Sequence, residues 1–293
     1  MTAAVVEPSL QCLASATTPA AVKLQSEDGI MSSLRGWCVV LLLVAAPAAA
    51  GADVATVNVG DKAVDGSFIQ PYKNKWKLVG TAPDGSVKEM GIWSDDTQVV
   101  ELDGRKVLKR RQSWNYGTGI ETYINIVEQK TLTPIMSQYV NAGGLYYRFE
   151  YARDGRTVRY QRSPQPQGDG SAPVKISSPM EQGELVADMR VFDFNSGMFG
   201  LLIAGFPLKA GYSARFPVFN IVEPSKVPAW IDFRVEGKET VAAGPGKQVE
   251  AWQVIANSPA TGEVMRFDLV KQAPYIIRLR QEWQGRDWTF EMM

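Results

Sequence analysis

Apolar and polar side chains alternate along most of the chain after residue 53. Leu145, Tyr147, Phe149 and Tyr151 fall on one side of an extended segment, with Arg148 and Glu150 on the other. Ile120, Thr122, Ile124 and Ile126 form a second such face, and Ile231, Phe233 and Val235 oppose Asp232 and Arg234. Met265, Phe267 and Leu269 oppose Arg266 and Asp268, while Ile277, Leu279 and Trp283 oppose Arg278, Arg280 and Glu282. A period of two residues predicts strands with one dry face and one wet face, the pattern of antiparallel sheets. Asp84-Gly85, Asp103-Gly104 and Asp154-Gly155 stand between such segments. Asp-Gly tolerates the positive φ angles of tight hairpins, so each predicts a turn.

Two segments break the rhythm. Residues 163–173 read SPQPQGDGSAP, the composition of a flexible loop. Between Leu185 and Phe206, Met189, Phe192, Phe199, Leu202 and Phe206 recur near helical spacing, with Gly197, Gly200 and Gly205 among them. Glycine inside a helix costs about 1 kcal/mol relative to alanine, so the expected element is a short, broken helix laid on the sheet. Pro207 and Gly211 end it before a strand near Tyr212. The fold expected from this pattern is mainly β: a single antiparallel, strongly curved sheet or incomplete barrel, with one short helical segment on its inner face.

The N-terminal region adds an address. Arg35, the apolar run from Trp37 to Ala46 and Ala48-Ala49-Ala50 make residues 31–52 a secretory signal peptide. The run is shorter than the ~20 residues a spanning helix needs. No cysteine stands at the cleavage point, so the expected product is a soluble periplasmic protein rather than a lipoprotein, not membrane-spanning after cleavage. Residues 1–30 read as an extension preceding a start at Met31, and residues 53–293 as a single β-rich domain. Removing residues 1–52 takes two basic and three acidic residues from 31 of each, which leaves a net charge of +1. That balance gives no electrostatic basis for binding nucleic acid. The basic run Lys109-Arg110-Arg111 is read as a solvated strand edge.

The chemistry available to the mature chain is narrow. The sequence has no histidine, and its two cysteines, Cys12 and Cys38, precede the cleavage site. Ser-His-Asp and Cys-His catalysis and ordinary zinc sites are thereby excluded, and no cofactor or metal is called for. Ser-x-x-Lys and Gly-x-Ser-x-Gly patterns are missing as well. Gly244-Pro245-Gly246-Lys247-Gln248 lacks the rest of a phosphate loop and reads as a turn. Carboxylates remain: Asp95-Asp96, Glu181 with Glu184, and Asp188 with Asp193 are the closest groupings, the material for a glycan hydrolase or lyase if two of them face each other across a groove. Asp193-Phe194-Asn195-Ser196-Gly197 begins like a calcium loop but lacks the later ligands, so Asp193 or Asn195 is expected to cap or bend the helix instead.

From Leu132 onward, four stretches are informative: LTPIMSQY, FDFNSGMFGLLIAGFPLKAGYSARFPVF, ETVAAGPGKQVEAWQVI and RFDLVKQAPYIIRLRQEW. In their order, with Phe192-Asp193, Pro207-Leu208-Lys209-Ala210-Gly211 and Pro274-Tyr275, the chain resembles a family of exported bacterial proteins, domain of unknown function 3108. Gly244-Pro245-Gly246 departs from that family's usual turn, and Phe267 stands where a tryptophan is expected. The resemblance spans the last ~160 residues, implies a periplasmic β-rich fold, and carries no catalytic site. The leading functional expectation is a non-catalytic periplasmic binding or envelope-assembly protein. It would hold a lipid or another hydrophobic envelope component in an apolar cavity lined by Phe199, Leu202, Phe206, Phe267 and Trp283. The alternatives are the carboxylate-dependent glycan enzyme and a scaffold that meets another envelope protein through an exposed strand edge.

Overall fold

The computed structural model describes residues 54–293 except 118, 142–144, 164–179, 195–197, 220–227, 260 and 284–285, together with the side chains of 283 and 286. The expected signal peptide, the extension before it and nearly all of the expected loop 163–173 lie outside the described residues.

The described residues build one large sheet of 16 strands and one short helix. A first meander contains β2 (Tyr72–Thr81), β3 (Val87–Leu102), β4 (Arg105–Asn115), β5 (Ile120–Glu128), β6 (Pro134–Val140), β7 (Tyr146–Tyr151), β8 (Thr157–Arg162) and β9 (Glu181–Val186). A second contains β11 (Ser213–Phe219), β12 (Ala229–Ala242), β13 (Gln248–Ser258), β14 (Glu263–Leu269), β15 (Ile276–Trp283) and β16 (Arg286–Met292). Within each meander sequential strands pair antiparallel, and β16 pairs with β2 to fuse the two. The sheet is mixed rather than purely antiparallel. Two-residue strands, β1 (Ala55–Thr56) and β10 (Phe192–Asp193), both lie parallel to β11. Among the described residues no ladder joins β9 to β1, so the strand path is open and does not close into a barrel.

The predicted turns fall between strands. Asp103 and Gly104 take φ of 49° and 71° and join β3 to β4 in two residues. Gly85 and Gly155 take φ of 80° and 70°, the left-handed values that glycine adopts without steric cost. The oxygen Oδ1 of Asp154 accepts the backbone N–H groups of Arg156 and Thr157, which locks its turn from inside.

The predicted broken helix shrinks to α1 (Phe199–Ala204); the segment from Leu185 to Phe194 instead holds the end of β9 and the strand β10. α1 packs against β14 and β15. A Cβ added to Gly200 would lie 2.7 Å from Ile276 Cγ1 and 3.1 Å from Phe267 Cδ1, so this glycine is where helix and sheet meet most closely. Among the described residues no side chain caps the helix N-terminus. Of the two expected cap residues, Asp193 is turned to β5, where its carboxylate accepts from Asn125 Nδ2 at 2.6 Å, and Asn195 lies outside the described residues.

Candidate functional site

The sheet's buried face is more polar than the alternation predicts. In β5 the expected apolar face is the wetter one: Ile120 is exposed and Ile124 and Ile126 are half-buried, whereas Glu121, Asn125 and Val127 are buried. Arg110 was read as part of a solvated edge, yet its side chain is 1% exposed and forms a bidentate pair with Asp95. The Tyr72 hydroxyl donates to the same carboxylate at 2.8 Å. Burial works against the Arg110 charge, but Asp95 and Tyr72 beside it together outweigh that and hold its pKa above the usual arginine value. These groups satisfy one another across β2, β3 and β4, which is how a buried charge is tolerated. The register places Asp95 opposite Gln112, with Arg110 two residues on and within reach of its carboxylate.

The expected acid groupings do not converge. Asp96 pairs with Lys73 at 3.0 Å near the surface, while its neighbour Asp95 is buried. Glu181 and Glu184 pair with Arg162 and Arg159 across β8 and β9. Asp188 is exposed and Asp193 buried. Among the described residues no group of three potential ligands is placed to hold a metal ion.

Of the five residues expected to line a cavity, Leu202, Phe206 and Phe267 are fully buried in the core and Phe199 is half-buried against it. The Trp283 side chain lies outside the described residues. Phe206 packs on Phe216 and Phe233 at ring-centre distances of 5.3 and 4.9 Å. Phe206 also reaches an open cleft of about 430 Å³, which Phe199, Leu202 and Phe267 do not line.

Three segments far apart in sequence build that cleft: the loop after β1, the end of α1, and the loop after β14. Lys62, Ala63, Asp65 and Phe68 come from the first, Gly205, Phe206 and Pro207 from the second, and Lys271 from the third. Backbone and side-chain bonds hold the segments together. The Asp65 N–H donates to the Gly205 carbonyl at 2.9 Å. The Tyr275 hydroxyl accepts from the Gln70 N–H at 2.7 Å and donates to the Phe68 carbonyl at 3.3 Å. The Phe68 and Tyr72 rings meet the Tyr275 ring edge-on.

Lys271 gives the cleft its polarity. Its ammonium donates to the carbonyl oxygens of Ala204 and Phe206, which lie at and just past the C-terminus of α1, and it sits 4.4 Å from the centre of the Phe68 ring. A cation is electrostatically suited to that helix end. Burial lowers the Lys271 pKa, and Asp65 works in the opposite direction. Asp65 is held below the usual carboxylate range first by its hydrogen bonds from the Ser67 side chain and backbone. Hydrophobicity in the segment around Phe206 signalled one wall. Nothing local signalled Lys62 or Lys271, since each is an ordinary loop lysine until the fold brings it to α1.

A second cleft of about 530 Å³ lies along β2, β3 and β4, with Lys73, Lys75, Ser94, Asp96 and Arg111 among its walls and none of Phe199, Leu202, Phe206 and Phe267.

Residues 75–290 match the sequence model of a family described as Protein of unknown function (DUF3108). The match extends the resemblance from the last ~160 residues back into β2. No curated protein matches the chain, and no solved structure does.

Proposed function

Since the chain belongs to the DUF3108 family, whose description assigns no activity, we propose from its site that it is a non-catalytic, exported ligand-binding protein of the bacterial periplasm. Its ligand is lipid-like and lies in the cleft at the end of α1. The observation that carries this reading is the cleft itself: about 430 Å³ walled by Phe68, Phe206, Pro207 and Ala63, with an anchored lysine at one side. That size falls in the ~300–1,000 Å³ range of small-ligand sites, whose walls are mostly apolar with a few placed polar groups. The site shares only Phe206 with the described part of the expected lining, of which Leu202 and Phe267 are packed into the core.

The same reading takes the sheet to bend around α1, so that the cleft opens at its mouth. Contacts between strands far apart on the path support the bend: Phe149 of β7 lies 4.9 Å from Phe219 of β11, and Asn125 of β5 bonds Asp193 of β10. Asp65 is the cleft's one carboxylate among the described lining residues, which disfavours two-acid glycan chemistry there.

The test is the intact mass of protein purified from its native periplasm under non-denaturing conditions, without detergent. An added mass of lipid size, released by organic solvent, is the expected result. A bare mass overturns the proposal and favours the scaffold reading. In that reading the edge strand β9, paired among the described residues only with β8 and carrying Val186 at 70% exposure, is the surface to probe.

A further inference from the structure

Resting on the proposed cleft, we infer that the ligand's head group is an anionic oxygen group, a carboxylate or phosphate ester, received by Lys271 with Lys62 beside it. An ammonium has three donors. Two of those of Lys271 are spent on the Ala204 and Phe206 carbonyls, while the side chain lines the cleft, which leaves one N–H for a ligand.

The lysine is also fixed in place. Two carbonyl acceptors and the Phe68 ring 4.4 Å away hold it before any ligand arrives. A donor ordered in advance costs less entropy on binding than a lysine held by no partner does. The charges in the cleft point the same way. Lys62 and Lys271 face one acid, Asp65, and its oxygen Oδ1 is already engaged by the Ser67 N–H at 2.9 Å. Around these cations the walls are Phe68, Phe206, Pro207 and Ala63. An anionic head with an apolar tail satisfies both sets of groups, whereas a neutral apolar molecule would meet only the apolar walls and leave two lysines to share the one carboxylate of Asp65.

Calorimetric titration of the delipidated protein with dodecanoate, dodecyl phosphate, 1-dodecanol and inorganic phosphate, each below its aggregation threshold, tests this. The two anionic amphiphiles are expected to bind at least about tenfold more tightly than the alcohol, a difference of ~1.4 kcal/mol. Lys271→Met should abolish that preference and Lys271→Arg should retain part of it. Because Lys271→Met also uncaps α1, Lys62→Ala provides a second variant that leaves those carbonyls capped. It should weaken the anions several-fold and leave the alcohol unchanged.

Inorganic phosphate binding as tightly as dodecyl phosphate would support the anion site and identify its ligand as a free oxyanion rather than a lipid head group. Equal affinity for alcohol and carboxylate, unchanged in Lys62→Ala, would overturn the head-group inference and leave a neutral lipid ligand standing. No binding by any probe, together with a bare native mass, would overturn the cleft reading itself.

Discussion

Arg110 and Glu121 are both buried ionisable groups, and they meet the cost of burial in opposite ways. Arg110 keeps its charge because both oxygens of the Asp95 carboxylate accept from its guanidinium, and the Tyr72 hydroxyl donates to Oδ2 as well. Removing one partner leaves the other charge buried, so Arg110→Ala is expected to cost about 3–5 kcal/mol in urea unfolding. Removing Asp95 as well should recover part of that loss, a coupling read directly from the double-mutant cycle. Glu121 has only the Tyr123 hydroxyl at 3.0 Å and further tyrosine bonding, and burial raises its pKa above 4.5. Between the unfolded and folded pKa values, the folded state therefore holds a proton that the unfolded state has released. Stability is then fully present below the unfolded pKa and falls as pH rises through the folded one. Glu121→Gln is expected to flatten that fall in urea titrations stepped upward from pH 4, and an unchanged slope would show that Glu121 is not its source. Glu263, also raised by burial, accounts for a slope that persists in Glu121→Gln and vanishes in Glu263→Gln.

Helix α1 shows how an element can be legible in kind and misread in extent. The apolar spacing around Phe199, Leu202 and Phe206 correctly signals a helix in the segment, but the pattern beginning at Met189 comes from residues in extended and irregular backbone. Gly200 reads as a helix breaker in sequence, while in the fold it allows α1 to approach Ile276 and Phe267. Alanine there gains about 1 kcal/mol of helix propensity, but its methyl falls 2.7 Å from Ile276 Cγ1. Overpacking of this kind costs ~1–3 kcal/mol, so Gly200→Ala should lower the melting temperature. Gly237→Ala is the control: its added methyl meets nothing within 4 Å, and it should be neutral or slightly stabilising. The hairpins were legible because Asp-Gly acts locally, through φ at two residues. The buried face of β5 was not. Its inward residues include Glu121, which accepts from Tyr123 on its own strand, and Asn125, whose partner Asp193 lies on β10. The alternation does not reveal which polar groups will be satisfied inside. The cleft shares that difficulty, with Phe206 visible as an apolar residue and Lys271 placed only by tertiary structure.

On the scale of the whole molecule, everything depends on one ladder. Each meander pairs its own neighbours, but β16 sits between β15 and β2 and is the link between them on the strand path. The family match runs from Lys75 in β2 to Phe290 in β16, so its two limits fall in strands that hydrogen-bond to each other, with Lys77 opposite Glu291. The matched segment is therefore one whose beginning and end meet in this chain. A chain stopped after residue 283 would lose β16, uncover the edges of β15 and β2, and remove Trp288, Phe290 and Met292 from the flank of the core. Unpaired edges of long strands invite association, and neither meander can then bury its apolar face against the other. The expected result is loss of the cooperative calorimetric transition, with aggregation in place of a smaller folded species. Two separate transitions from the full-length protein, or a cooperative transition from the shortened one, would instead show two halves that fold independently. Pairing of such distant segments also predicts refolding in the slow range of β proteins, because the loop-closure entropy is spent before β16 and β2 can form contacts. A stopped-flow refolding trace whose main phase is slowed by a valine-to-alanine change at Val79 in β2, and not by one at the edge residue Val186, would place that ladder in the rate-limiting step.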